Sequence, residues 1–244
     1  MTKACAMRSL ALLLIVWLAV GCGAGDSGSA TNAATPKGDV PGESAVQSNT
    51  SEFKAEVWAD NWFALYVNGA LVGEDSVPIT TERSFNAETI TFTATYPLTL
   101  AIEAKDFKET DSGLEYIGER NQQMGDGGII AQITDLSTGN VVAVTNSAWQ
   151  VLVIHRAPLN PECENASNPA TACRFEKSEA PPGWTSADFD ASQWDTATEW
   201  SEGAVRPRDG YNRIQWHDSA RLIWGSDLEV DNTILLRRTV PAPS

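Results

Sequence analysis

The chain of 244 residues carries a formal net charge of −15, which restricts its partners. A polyanion of this strength is repelled by nucleic acid and by anionic lipid surfaces. We therefore expect no nucleic-acid partner, and contact with a membrane only through an anchor. Hydrophobic residues make up 42% of the chain, which is sufficient for a sizeable core in a protein of this length.

Residues 1–21 have the pattern of a secretory signal segment, which is removed from the mature protein. Lys3 and Arg8 come before an apolar run, Leu10–Val20, that is too short to span a bilayer. The run leads into Leu-Ala-Val-Gly-Cys, which resembles the lipobox of bacterial lipoproteins. The resemblance implies cleavage before Cys22 and a diacylglycerol on its thiol. The alternative is an ordinary secretory signal with a chance cysteine.

Residues 22–52 predict a flexible tether between the lipid and a folded domain. The segment is rich in Gly, Ser, Ala, Thr and Asn and has no apolar period. As a random coil, about 30 residues span on the order of 30 Å. Gly23 after the lipidated cysteine implies the outer membrane of the cell envelope, if the cell is Gram-negative. Loss of the signal lowers the net charge to −17, because it removes two basic residues and no acid.

Residues 53–240 predict a single β-rich domain. Apolar and polar residues alternate in short segments separated by Gly, Asn, Asp and Pro, and no long amphipathic helix is indicated. The predicted strands are Phe53–Ala59, Phe63–Asn68, Thr89–Thr95, Leu98–Lys105, Gly128–Thr134, Val141–Thr145, Trp149–His155, Ala220–Gly225 and Thr233–Val240. Many short strands with such turns indicate an all-β sandwich or jelly roll.

The second and third strands are predicted to form a tight hairpin. Phe63, Leu65 and Val67 occupy alternate positions, as expected for a strand with one buried face. Asn68-Gly69 follows them, and both residue types tolerate the positive φ of a type I′ turn. Ala70–Val72 would then be the returning strand.

A long irregular insertion, Arg156–Ser219, contains six prolines, four tryptophans and two of the four cysteines. The tryptophans are expected to pack loops against the sandwich, with a binding face as the alternative. Cys163 and Cys173 are ten positions apart in an exported protein, so they predict a disulfide. Neither has a second Cys or a His at ligand spacing, which disfavours a metal site there.

Three segments resemble the galactose-binding-like jelly-roll modules of the β-galactosidase and rhamnosidase families. They are Gly183–Trp194 (GWTSADFDASQW), the pair Ala220–Trp224 with Ile234–Val240 (ARLIW and ILLRRTV), and the opening hairpin. In those families the Trp-rich segment comes first, whereas here the hairpin does. We interpret the altered order as a circular permutation, which implies chain ends close in space; a chance match is the alternative.

A carbohydrate site is predicted from two polar stretches. Asn, Arg and Asp supply the paired donors and acceptors that vicinal sugar hydroxyls need, and a Trp ring can cover a pyranose face. The start of the hairpin also resembles the Asp-Asp of PA14-type sugar-binding domains. The predicted ligand-binding residues are Asp60, Asn61, Trp62, Arg120, Asn121 and Asp126. Solvated loops without a ligand are the alternative.

A calcium site is predicted near the C-terminus. Asp227, Glu229 and Asp231 are two positions apart, so an extended chain would direct all three carboxylates to one side. Calcium accepts such oxygen ligands, and the jelly-roll resemblance implies a structural ion. A solvated acidic edge that discourages strand pairing is the alternative. The turns at Asp60-Asn61 and at Asp126 have the same ambiguity.

Two functions from different classes follow from these observations. The sequence contains two histidines and none of the common nucleophile, metalloprotease or phosphate-loop motifs, so we do not expect an enzyme. The first function is a non-catalytic, membrane-anchored cell-surface module that binds carbohydrate. The alternative is a structural or protein-interaction lipoprotein that holds an envelope protein.

Overall fold

The computed structural model describes residues 50–80 and 86–243. The predicted signal segment, the lipidation site at Cys22 and nearly all of the predicted tether lie outside these residues. The first strand begins at Thr50, so residues 50–52, predicted as the end of the tether, belong to the folded domain. No helix in the described ranges is long and apolar enough to cross a membrane.

Antiparallel strands make up most of the regular secondary structure in the described part of the chain. They are β1 Thr50–Asp60, β2 Trp62–Val67, β3 Ala70–Glu74, β4 Ala87–Thr95, β5 Leu98–Lys105, β6 Leu114–Glu115, β7 Gln123–Met124, β8 Gly128–Asp135, β9 Asn140–Val144, β10 Gln150–Arg156, β11 Glu176–Lys177, β12 Asp195–Thr196, β13 Thr198–Trp200, β14 Leu222–Trp224 and β15 Asp231–Val240. Two short helices, α1 Pro169–Ala172 and α2 Glu202–Val205, and two 3₁₀ turns, Pro161–Asn165 and Tyr211–Arg213, lie in the long insertion.

Two large sheets form the sandwich, and β6 and β7 pair in a separate two-stranded sheet. In sheet A the order is β13-β14-β8-β1-β4, with β9 also paired to β8. In sheet B the order is β11-β10-β15-β5-β2-β3, with β12 also paired to β10. Every predicted strand is present, with ends shifted by a few residues, and the all-β class is confirmed. The two-residue strands and the three-residue β13 are not among the predicted strands, because they are too short for an alternating pattern.

Side chains at alternate positions of each strand point to opposite faces of its sheet, and one face of each sheet lies in a shared core. In β1, Phe53, Ala55 and Val57 are fully buried, and they pack with Leu100 and Ile102 of β5 in the opposite sheet. Burial of aliphatic and aromatic side chains on this scale is the main favourable term in folding. The core therefore joins the two sheets into a sandwich and leaves their outer faces for loops or ligands.

The two ends of the sandwich differ in what they contain. Thr50 pairs with Thr95, and Val240 pairs with Leu98. Only two residues separate Thr95 from Leu98, so β1 begins and β15 ends at the same end, which we call the terminal pole. Since β1 and β5 run from there to Asp60 and Lys105, the opposite end holds the residues that follow those two strands.

The hairpin turn forms as predicted. Asn68 and Gly69 have φ angles of 51° and 86°, and Val67 pairs with Ala70 across them. The Asn68 side chain also reaches a neighbouring connection: its Nδ2 donates to the Thr95 carbonyl at 2.9 Å, and its Oδ1 accepts from the Thr99 amide at 2.7 Å. Asn68 therefore fixes the turn against the β4–β5 connection.

Candidate functional site

Three aspartates meet at the end of the sandwich opposite the terminal pole. Asp60 is the last residue of β1, Asp106 directly follows β5, and Asp126 lies two residues before β8. One carboxylate oxygen from each lies within 4.8 Å of those of the other two. We call this end the carboxylate pole. The cluster joins the two sheets, since β1 and β8 belong to sheet A and β5 to sheet B.

The cluster is buried and short of hydrogen bonds. Asp106 is 1% exposed and Asp60 is 3% exposed. Among the described residues, neither carboxylate oxygen of Asp106 has a full hydrogen-bond partner, and Oδ1 of Asp60 has none. The backbone of Gly125 passes directly against Asp106, because a Cβ on Gly125 would lie 1.9 Å from Asp106 Oδ2. Only glycine allows this approach.

Burial raises the pKa of all three carboxyl groups. Desolvation is the largest cause for Asp60 and Asp106, and neighbouring acids, including Glu115, raise their pKa further. The Asp126 backbone amide lowers the pKa of Asp106 only weakly by comparison. Desolvation also raises the pKa of Asp126, opposed by Arg208 and Arg206. The pole thus brings several acidic groups together away from water, where their ionised forms are disfavoured unless a positive charge is nearby.

The residues predicted to bind carbohydrate do not form one site. Asp60 and Asp126 belong to the carboxylate cluster, and Asn61 is buried beside it with its Oδ1 accepting from the Phe107 amide at 2.5 Å. Arg120 and Asn121 are exposed at the tip of the β6–β7 hairpin. Trp62 is half-buried on the outer face of sheet B, where Lys105 Nζ lies 4.5 Å from its ring centroid.

The three residues predicted to bind calcium do not converge, which corrects that prediction. Residues 228–230 form a turn, so the extended geometry behind the prediction is absent. Asp227 Oδ1 accepts from the backbone amides of Glu229 and Val230 at 2.9 and 3.2 Å. Asp231 is fully buried, and its Oδ1 accepts from Arg156 Nε at 2.7 Å. Glu229 is exposed. These carboxylates shape a turn and an ion pair.

A second feature lies on the outer face of sheet B, close to the carboxylate pole. It is a cleft of about 730 Å³, which we call the outer cleft. Strands β5 and β10 form its floor, and the segments after β5 and β11 form its walls. The lining includes Glu103, Lys105, Lys108, Ile154, His155 and Glu179.

His155 is a buried polar side chain that lines the cleft. It is 2% exposed, and within the described residues neither ring nitrogen has a full hydrogen bond, although Nε2 lies 3.6 Å from Asp111 Oδ1. Burial, together with Lys108 and Lys177, lowers its pKa to about 4 against the opposing effect of Asp111. The ring is therefore neutral at pH 7 and offers one donor and one acceptor.

Phe175 lies against this histidine, which lines the outer cleft. The two ring centroids are 5.9 Å apart and the planes are 28° from parallel. Phe175 is nevertheless 48% exposed, so its ring also faces solvent. A large aromatic ring held rigidly and left open to water is typical of a surface that accepts an apolar face of a ligand.

The predicted disulfide is confirmed. Cys163 and Cys173 are bonded, with Cα atoms 5.1 Å apart. Both cysteines are buried against Leu114, and Gln122 Nε2 donates to the Glu164 carbonyl at 2.6 Å. The disulfide loop therefore supports the base and tip of the β6–β7 hairpin, which leads directly into Asp126.

The tryptophans of the insertion pack on the sandwich, as expected. Trp184 contacts Tyr66 edge to face, with ring centroids 5.7 Å apart. Trp200 Nε1 donates to the Gly225 carbonyl, and Trp216 Nε1 donates to the Tyr211 carbonyl. Each of these indoles is half-buried. Their role is to attach irregular backbone to the sheets.

Sequence patterns missed Asp106, His155 and Phe175. Asp106 and His155 lie at the ends of predicted strands. A carboxylate or an imidazole at a strand end is the one sequence signal that could have indicated these two residues. Phe175 lies in irregular backbone, where no periodicity shows whether a ring is buried or exposed. Its contact with His155 depends on β11 pairing with β10.

Comparison of the chain with protein-family models, with curated proteins and with solved structures gives no match. Function is therefore argued from the chemistry of the carboxylate pole and the outer cleft.

Proposed function

We propose that the protein is an exported, lipid-anchored and non-catalytic module that binds carbohydrate in the outer cleft. The observation that carries the proposal is the exposed ring of Phe175, which is stacked on His155, a buried residue that lines a cleft with charged walls. The galactose-binding-like jelly roll and the anchor at Cys22 are parts of the same proposal.

The chemistry of the cleft suits a polyhydroxylated ligand. Glu103 and Lys105 lie on one strand as an ion pair, with Oε1 and Nζ 3.0 Å apart, and Lys108 and Glu179 repeat the mixture of amine and carboxylate. Vicinal hydroxyls can donate to a carboxylate and accept from an ammonium group at the same time. A cleft of about 730 Å³ also falls in the range of small-molecule sites.

The aromatic platform supplies the apolar part of such recognition. The C–H face of a pyranose would cover the open side of Phe175, and the unpaired nitrogens of His155 would be satisfied by hydroxyl groups. Buried polar groups without partners cost free energy, which a ligand recovers by hydrogen-bonding to them. Trp62 extends the aromatic surface on the far side of Lys105.

The topology is compatible with the permuted jelly roll. The chain enters β1 and leaves β15 at the terminal pole, as a permutation of a compact module requires. The three segments of the resemblance also contact one another. Tyr66 of the hairpin packs on Trp184, and Arg237 donates to the carbonyls of Trp184, Ser186 and Phe189.

The interaction-module alternative has less support in the described residues. Their exposed large hydrophobic side chains are Leu71, Leu136 and Phe175, which lie in β3, after β8 and before β11. A protein interface would require a larger continuous apolar area. These side chains instead come from separate parts of the fold.

The test is a glycan array of oligosaccharides and polysaccharides, probed with the full-length chain in detergent, followed by calorimetry on the best ligand. Replacement of Phe175 by Ala should weaken binding about tenfold or more, because a stacked ring contributes about 1.5 kcal/mol. Leu136→Ala is the matched control: Leu136 is 43% exposed and lies away from the cleft, so affinity should not change.

Three results would contradict the proposal. Equal losses of glycan affinity in Phe175→Ala and Leu136→Ala would show that the Phe175 ring is not part of the binding site. Binding to no glycan while a protein partner is captured with defined stoichiometry would favour the interaction module. Cleavage of a bound glycan during incubation would replace the binding module by an enzyme.

A further inference from the structure

The carboxylate cluster has the dimensions of a cation site. Oxygens of Asp60, Asp106 and Asp126 lie within 4.8 Å of one another. Calcium binds oxygen at about 2.3–2.6 Å, so two ligands on opposite sides of one ion are about 4.6–5.2 Å apart. One ion can therefore contact all three carboxylates without movement of the strands that carry them.

Burial gives an independent reason for a ligand at this position. Asp106 is 1% exposed, and both of its oxygens lack a full hydrogen bond within the described residues. Oδ1 of Asp60 is also buried and lacks a hydrogen-bond partner within these residues. An ionised carboxylate without a partner is among the most costly groups to bury, and side chains of this kind are normally paired or metal-bound.

Within the described part of the chain, the acidic neighbours of Asp60 and Asp106 outweigh the basic ones. Glu115 is a fourth buried carboxylate close enough to raise the pKa of both Asp60 and Asp106. Arg208 and Arg206 act mainly on Asp126 at the half-buried edge of the cluster. The arginines offset only part of the repulsion between the carboxylates. A divalent cation between the aspartates would offset the rest.

The donor set indicates which ion. All the ligands are hard carboxylate oxygens, which suit calcium or magnesium and not zinc or copper. Magnesium requires a near-octahedral shell at 2.0–2.1 Å and retains its water, whereas calcium tolerates irregular geometry. A site assembled from three strand ends with different directions fits calcium better.

We propose that Asp60, Asp106 and Asp126 bind one calcium ion that joins the two sheets at the carboxylate pole. The ion ties the end of β1 to the start of β8 and to the segment after β5. Because Asp106 is followed by Phe107, Lys108 and Glu109, which line the outer cleft, the ion also fixes one wall of that cleft.

The experiment uses the full-length chain, stripped with EGTA and dialysed. Addition of 5 mM CaCl₂ should raise the melting temperature by about 3–6 °C, on the basis of affinities of 10⁻⁴–10⁻³ M for extracellular sites. Calorimetry with CaCl₂ should give one ion per chain. Addition of 5 mM MgCl₂ should give less than half of the thermal shift.

Variants locate the site. Asp106→Asn should abolish the calcium-dependent shift, whereas Asp227→Asn should keep it, because the Asp227 carboxylate is occupied by backbone amides of its own turn. If Asp106→Asn does not fold, the half-buried Asp126→Asn provides the same test. Metal analysis of the protein as purified would detect a bound calcium ion that EGTA does not remove.

Two results would overturn the inference. One is a protein that contains no calcium as purified and whose melting temperature is the same in EGTA and in CaCl₂. The other is an undiminished shift in both Asp106→Asn and Asp126→Asn. Neither result would bear on glycan binding by the outer cleft, which the Phe175→Ala comparison tests separately.

Discussion

His155 links burial to pH dependence at the scale of one residue. Its pKa is lowered to about 4 in the folded protein, mainly by desolvation, and the ordinary value is about 6.5. The folded state therefore holds a neutral ring while the unfolded chain takes up a proton below pH 6.5. The stability that this provides is complete above pH 6.5 and is lost as the pH falls towards 4.

We expect the free energy of unfolding to fall by about 2–3 kcal/mol between pH 7 and pH 4.5 because of His155 alone. Lys108, Lys177 and Asp111 face the ring and contribute to its pKa. Urea denaturation of the wild type and of His155→Gln at both pH values measures the difference. The buried aspartates titrate in both proteins, so their effect cancels. An identical pH dependence in the two proteins would contradict the assignment.

Arg237 shows how one side chain attaches a loop to a sheet. It is 5% exposed, and its guanidinium group donates to the carbonyls of Trp184, Ser186 and Phe189, the last two at 2.9 and 3.2 Å. Its Cζ also lies 5.3 Å from the centre of the Phe189 ring. These contacts hold the Trp-rich segment on the outer face of sheet B.

Replacement of Arg237 by Met should lower the free energy of unfolding by about 2–4 kcal/mol, because three carbonyls would lose a charged donor while the side-chain stem is kept. Arg221→Met is the control, since Arg221 is exposed and donates to the nearby carbonyls of Asp218 and Ala220. That change should cost at most about 0.5 kcal/mol. Comparable losses in the two variants in chemical denaturation would refute this role for Arg237.

Strands and turns were the part of the fold that the sequence predicted well. Alternation in Phe53–Ala59 or Leu98–Lys105 depends on neighbours along the chain, and so does the positive φ required of Asn68-Gly69. The spacing of Asp227, Glu229 and Asp231 led to a wrong prediction of a shared calcium site, because that prediction also depended on local backbone conformation. Two-residue spacing places side chains on one face only in extended backbone, and the turn at residues 228–230 removes that condition.

The carboxylate cluster could not be predicted, because it depends on which strand ends share a pole. Asp60 and Asp126 are both among the residues predicted to bind carbohydrate, but Asp106 is not, and nothing local connects the three as a carboxylate cluster. Their meeting follows from β1 pairing with β8 and from the packing of the two sheets. The outer cleft has the same origin, since β5 and β10 become neighbours of β15 only in sheet B.

At the scale of the whole molecule, the proposed lipid anchor at Cys22 determines whether the protein is attached to a membrane. If Cys22 carries lipid, Cys22→Ser should remove all incorporation of a radiolabelled fatty acid and release the protein from membranes. Cys5→Ser is the control, because Cys5 lies within the predicted signal segment and should leave labelling unchanged. Equal labelling of wild type and Cys22→Ser would contradict the lipobox interpretation.

The length of β1 has a consequence for many copies acting together. Its 11 residues separate Thr50 from Asp60 by about 33 Å, at about 3.3 Å per residue. If Cys22 carries lipid as proposed, the chain from the anchor enters the domain at the terminal pole, the end opposite the one near the outer cleft. Neighbouring copies on one membrane would then present their clefts to the same polysaccharide. Such an array gains avidity from effective concentration, and a cleft with millimolar affinity for one sugar unit can retain a long chain.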